Sequence, residues 1–165
     1  MEGIQKIGLG GGCHWCTEAV FLSLKGIEKV EQGFIAPIDK KNDFSEAVIV
    51  HYDPKVIGMS DLIAIHLHTH KSTKDHSMRA KYRSAVYYFS EEDARSAQEI
   101  IMDLQQGFEE PIITQILEFG TFKPSDEYFH NYYYSDVEKP FCKTYISPKI
   151  GMLMQRFTTL VNNEV

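Results

Sequence analysis

The amino-acid sequence predicts an α+β fold in which helices pack on one central sheet. Its 165 residues, 43% of them hydrophobic, are enough to close one core without disulfides or structural metals. Short segments with the composition of strands are interspersed with segments of helical periodicity, without a long alternating series of the two. We therefore expect residues 1–165 to form a single domain.

Five segments are predicted strands because they are short, apolar and bounded by glycine, proline or polar residues. The third contains the dense apolar run 47–50 and stops at Asp53-Pro54. The predicted strands are 4–9, 30–36, 46–52, 82–89 and 112–117.

Five further segments have the apolar spacing or the end signals of helices. Ser60 is expected to cap the second helix, and Ser90, which precedes three acidic residues, to cap the third. Gly107 is a natural stop for the third helix. The predicted helices are 15–24, a segment from Ser60 into the stretch 66–70, then 90–106, 124–134 and 150–157.

The polar segment 69–81 is predicted to be a long loop and a candidate wall of an active site, because long loops in compact domains are usually functional. His66, His68 and His70 just before it are expected at a helix end, where cationic side chains favour the dipole. A role for these histidines in the site stays open.

The charge pattern argues against several classes of partner. The net charge of -6 gives no broad attraction for nucleic acid or anionic lipid. No apolar run approaches the roughly 20 residues of a membrane span, and the N-terminus lacks the layout of a secretory signal. We expect a cytoplasmic protein with no nucleic-acid or membrane partner. The only basic cluster is expected to be a solvated loop; it comprises Lys71, Lys74, Arg79, Lys81 and Arg83.

The most informative motif is the run of glycines 10–12 followed by Cys13 and, three residues later, Cys16. A helix start after this run would present backbone N–H groups to Cys13 and lower the pKa of its thiol. The glycines allow close backbone approach or positive φ, which an inert core position does not need. Cys13 is therefore the candidate nucleophile. The third glycine of a dinucleotide fingerprint is missing, so that function is excluded.

Three kinds of chemistry are compatible with the Cys13–Cys16 pair. A general dithiol oxidoreductase would use Cys13 as attacker and Cys16 as resolver. A redox sensor could act through the thiols alone or through zinc; a zinc site would need two more ligands, which His66, His68 and His70 or Cys142 could supply. A peroxide or sulfoxide reductase would form a sulfenic acid that condenses with another thiol.

The segment from Gly12 to Glu18 resembles the A-type peptide methionine sulfoxide reductases, whose motif is Gly-Cys-Phe-Trp, a glycine or cysteine, and commonly a glutamate two further on. The resemblance continues through three other segments in the family's order, and so spans most of the chain. These segments are 45–54, 82–86 and 126–132. The family implies a two-layer α/β sandwich with a central mixed sheet and a ferredoxin-like core.

The resemblance also implies roles for individual residues. Cys13 matches the nucleophile, and Trp15 a wall of the pocket that holds the sulfoxide methyl group. Glu46 matches the acid that protonates the sulfoxide oxygen, and Tyr82 a phenol that binds it. A protonated or hydrogen-bonded oxygen makes the sulfoxide sulfur a better electrophile, so these roles are chemically consistent.

Three positions depart from the family pattern. His14 replaces the usual phenylalanine beside the methyl pocket. Phe34 stands where a second phenol is expected, which removes one hydrogen-bond donor to the oxygen. Asp75 is the nearest match to the family aspartate of the loop before Tyr82, and both this loop and the connection from Phe34 to Glu46 are shorter than usual.

The sequence thus predicts a thiol-dependent reductase of methionine S-sulfoxide, free or in proteins, that needs no metal or organic cofactor. Cys16 or Cys142 would convert the sulfenic acid of Cys13 into a disulfide, which thioredoxin or another thiol reduces. Cys16 is close in sequence, although a helix can hold the two sulfurs apart. Cys142 follows Pro140-Phe141 in a predicted loop.

Overall fold

A computed structural model describes residues 3–12, 14–70, 72–74, 81–125, 150–152, 157 and 159–160, with only the backbone for residues 14 and 15. Cys13, Asp75 and Cys142 lie outside the described residues. So do most of the predicted helix 124–134 and the middle of the predicted helix 150–157.

Five strands and three longer helices form the described structure. In chain order they are β1 (Gln5–Gly10), α1 (His14–Leu22), β2 (Ile27–Pro37), β3 (Ser45–Tyr52), α2 (Met59–Thr69), β4 (Ala85–Tyr88), α3 (Glu91–Leu104), a 3₁₀ turn (Gln105–Gly107) and β5 (Gln115–Pro124).

The strands form one mixed sheet in the order β1-β3-β2-β5-β4, and β4 closes it by pairing with β1. The pairing of β4 with β5 is parallel, whereas the other neighbours are antiparallel. The predicted α+β class with a central mixed sheet is confirmed. No helix in the described parts of the chain is long and apolar enough to cross a membrane.

Strand β3 is buried on both faces, which explains its continuous apolar run. Successive side chains of a strand point to opposite faces. Val48 and Val50 accordingly lie in the larger core, with Leu9, Phe21 and residues of α2. Ala47 and Ile49 lie in a second core on the other face, where the buried members are Ile35, Ala47, Ile49, Ala85 and Tyr87.

Several predicted boundaries are wrong. Strand β2 begins at Ile27, three residues earlier than predicted. Strand β4 begins at Ala85 and not at Tyr82, because the segment before it bonds to β3 through Ser45 instead of continuing the ladder. Strand β5 begins at Gln115, three residues later than predicted, and runs on to Pro124. Its partly exposed residues give a weaker strand signal than the buried residues of β3 do.

The cap of α2 also differs from the prediction. Gly58 and not Ser60 occupies the cap position, and its N–H donates to Oδ2 of Asp61 at 3.2 Å. The predicted cap of α3 is confirmed, since Ser90 Oγ accepts a hydrogen bond from the Asp93 N–H at 3.2 Å. The 3₁₀ turn that follows α3 ends at Gly107, as predicted.

Candidate active site

The glycine run forms a tight turn between β1 and α1. Gly11 has φ of +153°, and a Cβ atom added there would lie 2.5 Å from Cδ2 of His70. Glycine is required on both counts, because an L side chain rarely adopts this φ and would meet an imidazole ring. Cys13 falls in sequence between Gly12 and the first residue of α1, so the predicted strand, glycine turn and helix around it are confirmed.

Glu46 lies near the start of β3, close to the backbone that leads into this turn. A Cβ atom added at Gly10 would lie 3.0 Å from the carbonyl oxygen of Glu46 and 3.1 Å from that of Arg83. The side chain of Glu46 is only 7% exposed, and Lys81 Nζ lies 3.6 Å from its Oε2 atom. The fold therefore brings the end of β1, Glu46 and the segment 81–83 together.

The segment that carries Tyr82 is fixed to β3 by three hydrogen bonds. The Glu46 N–H and the Ser45 hydroxyl donate to the carbonyl oxygen of Lys81, at 3.0 and 2.8 Å. The Arg83 N–H donates to Ser45 Oγ at 2.7 Å. Tyr82 is half-buried, with Lys81 Nζ 5.2 Å from the centre of its ring. The pKa of Lys81 is raised by its hydrogen bond to Tyr82, then by the charges of Tyr82 and Glu46.

Phe34 occupies the β2 position directly opposite Glu46. Opposed residues of antiparallel strands project from the same face of a sheet, so the phenyl ring and the carboxylate are neighbours. Phe34 is half-buried. The structure thus gathers three of the residues predicted from the sequence, Glu46, Tyr82 and Phe34. The side chains of His14 and Trp15 are not described; their backbone lies in the first turn of α1.

Arg83 contradicts the prediction that the basic cluster is a solvated loop, since it is 9% exposed. Its Nε donates to Tyr87 Oη at 3.0 Å, and Nη2 donates to the carbonyl oxygens of Ile35 and Asp43, both at 3.0 Å. Nη1 lies 3.2 Å from Oδ2 of Asp43. Burial raises the pKa of Tyr87, and the positive charge of Arg83 opposes this. Arg83 therefore organises the interior behind Tyr82.

Cys16 is buried inside α1, with 5% of its surface exposed. It lines a small cavity of about 10 Å³ together with residues of the glycine turn and of α2, namely Gly12, Thr17, Val20, His66, Thr69 and His70. This volume is about the minimum that one water molecule needs. Access of a thiol from solvent to Cys16 therefore requires the start of α1 to open.

His66 and His70 support the glycine turn, a role that the sequence left open. His66 Nε2 donates to the Gly10 carbonyl oxygen at 2.7 Å, and His70 Nδ1 donates to the His66 carbonyl oxygen. His70 Nε2 is 2.7 Å from Ser84 Oγ, which is 2.8 Å from Thr114 Oγ1. Both histidines lie near the end of α2, as predicted, and their rings are 4.2 Å apart.

The glutamate of the cysteine motif has a structural contact. Glu18 is buried and accepts a hydrogen bond from Gln32 Nε2 at 3.1 Å. Ser125 Oγ in turn donates to Gln32 Oε1 at 2.7 Å. These bonds connect α1 to β2 and to the end of β5. In the part of the chain that the structure describes, no three His, Cys, Asp or Glu residues are grouped as ligands for a metal ion.

A family model described as peptide methionine sulfoxide reductase matches residues 5–160, nearly the whole chain. The chain belongs to this family. A relative from Chromobacterium violaceum, named peptide methionine sulfoxide reductase MsrA, is 32% identical over 97% of this chain and 100% of its own length. The predicted reduction of methionine sulfoxide is confirmed by this membership.

Solved structures show the same fold as this chain. Mxr1 from Saccharomyces cerevisiae in its reduced form superposes with a TM-score of 0.77 at 23% identity, covering 87% of this chain and 91% of that one. Mxr1 in complex with Trx2 gives a TM-score of 0.63 at 24% identity, covering 79% and 85%.

Proposed function

We propose that Cys13 is the nucleophile that reduces the S epimer of methionine sulfoxide, free or in proteins. The observation that carries this proposal is the convergence of Glu46 and Tyr82 on the backbone that leads into Cys13. The thiolate of Cys13 attacks the sulfoxide sulfur, and the oxygen takes up one proton. The bond from the substrate sulfur to oxygen breaks as the hydroxyl transfers to the Cys13 sulfur, the bond between the two sulfurs breaks, methionine leaves, and Cys13 becomes a sulfenic acid. The sulfoxide gains the two electrons that the thiolate loses.

Glu46 is the proton donor of this step, and Tyr82 is a hydrogen-bond donor to the oxygen. Developing negative charge on the oxygen is stabilised most by donors that are already in position, and the backbone bonds of Glu46 and Lys81 fix both groups. Trp15 and His14 would bound the methyl group, with Phe34 adding an apolar wall beside Glu46. Asp75 is proposed as a further substrate contact on the resemblance alone.

A second thiol then attacks the sulfenic acid, expels water and forms a disulfide with Cys13. Cys16 and Cys142 are the two candidates. The burial of Cys16 supports Cys142, because no opening of α1 is then needed at the second sulfur. Thioredoxin, or another dithiol, would reduce the disulfide, so the enzyme needs no metal or organic cofactor. The related Mxr1 structure in complex with Trx2 supports this partner.

Turnover of each methionine sulfoxide epimer with dithiothreitol tests the nucleophile and the acid. We expect wild type to reduce only the S epimer, Cys13→Ser to be inactive, and Glu46→Gln to lose about 10²- to 10⁴-fold in kcat/KM. Equal activity of Cys13→Ser would contradict the mechanism. Disulfide reduction in insulin without sulfoxide turnover would instead support the general dithiol oxidoreductase, and one equivalent of tightly bound zinc would support the redox sensor.

The resolving thiol is identified by oxidising the enzyme with one equivalent of substrate and mapping the disulfide by mass spectrometry. We expect Cys142→Ser to stop at the sulfenic acid and Cys16→Ser to form the disulfide. A Cys13–Cys16 disulfide in wild type would reverse this assignment. Thioredoxin with its reductase should sustain turnover of wild type and of Cys16→Ser.

We further propose that residues 1–165 form one catalytic domain, with the two-layer sandwich and ferredoxin-like core of the family. The mixed sheet and the likeness to the Mxr1 structures support this arrangement. A cytoplasmic location, and the absence of nucleic-acid and membrane partners, stay predictions from composition.

A further inference from the structure

The oxygen site proposed above has one fewer phenol than the family pattern leads us to expect. Phe34 replaces that phenol and lies directly opposite Glu46, on the same face of the sheet. A phenyl ring offers no hydrogen bond to the sulfoxide oxygen. A donor that compensates for it must therefore reach the neighbourhood of Glu46 from another element.

Lys81 brings a cation to this neighbourhood. Its Nζ lies 3.6 Å from Glu46 Oε2 and 5.2 Å from the ring centre of Tyr82, so one ammonium contacts both groups assigned to the oxygen. The backbone of Lys81 is fixed by the two hydrogen bonds that its carbonyl oxygen accepts. Its side chain is 58% exposed, whereas that of Glu46 is 7% exposed. The ammonium therefore stands on the solvent side of the buried carboxylate.

We propose that Lys81 is a further catalytic residue, which donates a hydrogen bond and positive charge to the sulfoxide oxygen in place of the phenol missing at position 34. The inference rests on the proposed function. An ammonium has three N–H donors, so one can contact Glu46 while another faces the substrate oxygen. Lys81 keeps its proton throughout; Glu46 takes part as the neutral carboxylic acid, which accepts the Lys81 hydrogen bond and gives its own proton to the sulfoxide oxygen. The charge of Lys81 acts because the oxygen becomes more negative as Cys13 attacks.

The alternative is that Lys81 and Glu46 form an ordinary ion pair at the surface. Such pairs contribute little to stability and nothing specific to a reaction. Lys29 offers a matched case, since it is 62% exposed and its Nζ lies 3.9 Å from Oε1 of Glu31, at the start of β2. Replacement of Lys29 removes a lysine of similar exposure from an ion pair away from Glu46; its partner Glu31 is 31% exposed and keeps His51, whose Nε2 lies 2.6 Å from Oε2.

Single-turnover reduction of methionine S-sulfoxide tests the proposal in Lys81→Met, Lys81→Arg and Lys29→Met, with the thermal unfolding midpoint measured for each. We expect Lys81→Met to slow the reaction at saturating sulfoxide about 10- to 100-fold. Lys81→Arg should keep most of the rate, because the charge and the donors remain. Lys29→Met should react as wild type does, and the unfolding midpoints should stay within about 2 °C of one another.

Phe34→Tyr provides the sharper test, because it restores the phenol. It should raise the rate of Lys81→Met at least about 10-fold more than it raises the rate of the Lys81 protein, because the phenol replaces a donor that only Lys81→Met has lost. Equal effects of Phe34→Tyr in both backgrounds, or a Lys81→Met rate within 2-fold of the Lys29→Met rate, would overturn the proposed role of Lys81 and leave the proposed function standing. Wild type without turnover of either epimer would overturn the proposed function, and this inference with it.

Discussion

Replacement of Arg83 by methionine should destabilise the protein more than any change in the exposed part of the basic cluster. Methionine keeps most of the aliphatic length and removes the guanidinium. Three hydrogen bonds disappear, from Nε to Tyr87 Oη and from Nη2 to the carbonyl oxygens of Ile35 and Asp43. The ion pair with Asp43, at 3.2 Å, disappears with them.

The size of the effect follows from where these acceptors lie. Tyr87 is fully buried, so its hydroxyl loses a partner in a place where water is scarce. Each buried polar group left unsatisfied costs about 1–3 kcal/mol, and breaking a buried charged pair costs about 3–5 kcal/mol. Asp43 is half exposed and can be rehydrated, so most of the cost comes from the buried acceptors Tyr87 Oη and the Ile35 carbonyl oxygen, and we expect a loss of about 2–5 kcal/mol for Arg83→Met in total. That is a large share of the roughly 5–15 kcal/mol by which domains are stable.

Urea unfolding with a reducing agent, followed by far-ultraviolet circular dichroism, measures this free energy. Arg95→Met is the matched control, because Arg95 is exposed on α3, and it should change the stability by less than about 0.5 kcal/mol. Arg83→Lys should fall between the two. A loss under about 1 kcal/mol in Arg83→Met would refute the reasoning, because the four contacts of the guanidinium would then have no net stabilising effect.

Three other predictions follow from buried groups. Gly11→Ala should lower the free energy of unfolding by about 2–4 kcal/mol, since it combines a positive φ with a clash against His70, and unchanged stability in urea would contradict this. Burial, and then the charge of Asp93, raise the pKa of Tyr52 to about 12. The contribution of Tyr52 to stability is therefore complete below pH 10 and is lost between about pH 10 and 12. The free energy of unfolding measured across that range should fall more steeply in wild type than in the control Tyr52→Phe. Cys16 should react with a thiol reagent at least about 10²-fold more slowly in the native protein than in urea, and equal rates would show that α1 opens freely.

The apolar strands could be predicted from the sequence because burial leaves a local pattern. β1 and β3 appear as short apolar runs, and the run 47–50 is continuous because both of its faces are covered. The cap of α3 is equally local, since a serine and the acidic residues after it are adjacent in the chain. The predicted start of β4 at Tyr82 is wrong, because the segment before β4 makes its hydrogen bonds to Ser45, almost forty residues away in the sequence.

The site was predicted in part for the same reason. Glu46 and Tyr82 could be named as candidates because the family resemblance covers their immediate neighbours in sequence. The burial of Arg83 could not be predicted, since its partners come from three separate segments and a run of basic residues normally lies in solvent. The contact between Lys81 and Glu46 likewise exists only after β3 and the segment 81–83 have come together.

The hydroxyl of Ser45 joins the segment before β4 to β3, and it does so through hydrogen bonds to main-chain atoms of that segment. Ser45 Oγ donates to the carbonyl oxygen of Lys81 and accepts from the N–H of Arg83, so it holds main-chain atoms on both sides of Tyr82. Neither bond depends on the side chain at position 81. Evolution or an engineer can therefore vary that side chain, and with it the charge beside Glu46, while the path of the chain stays the same.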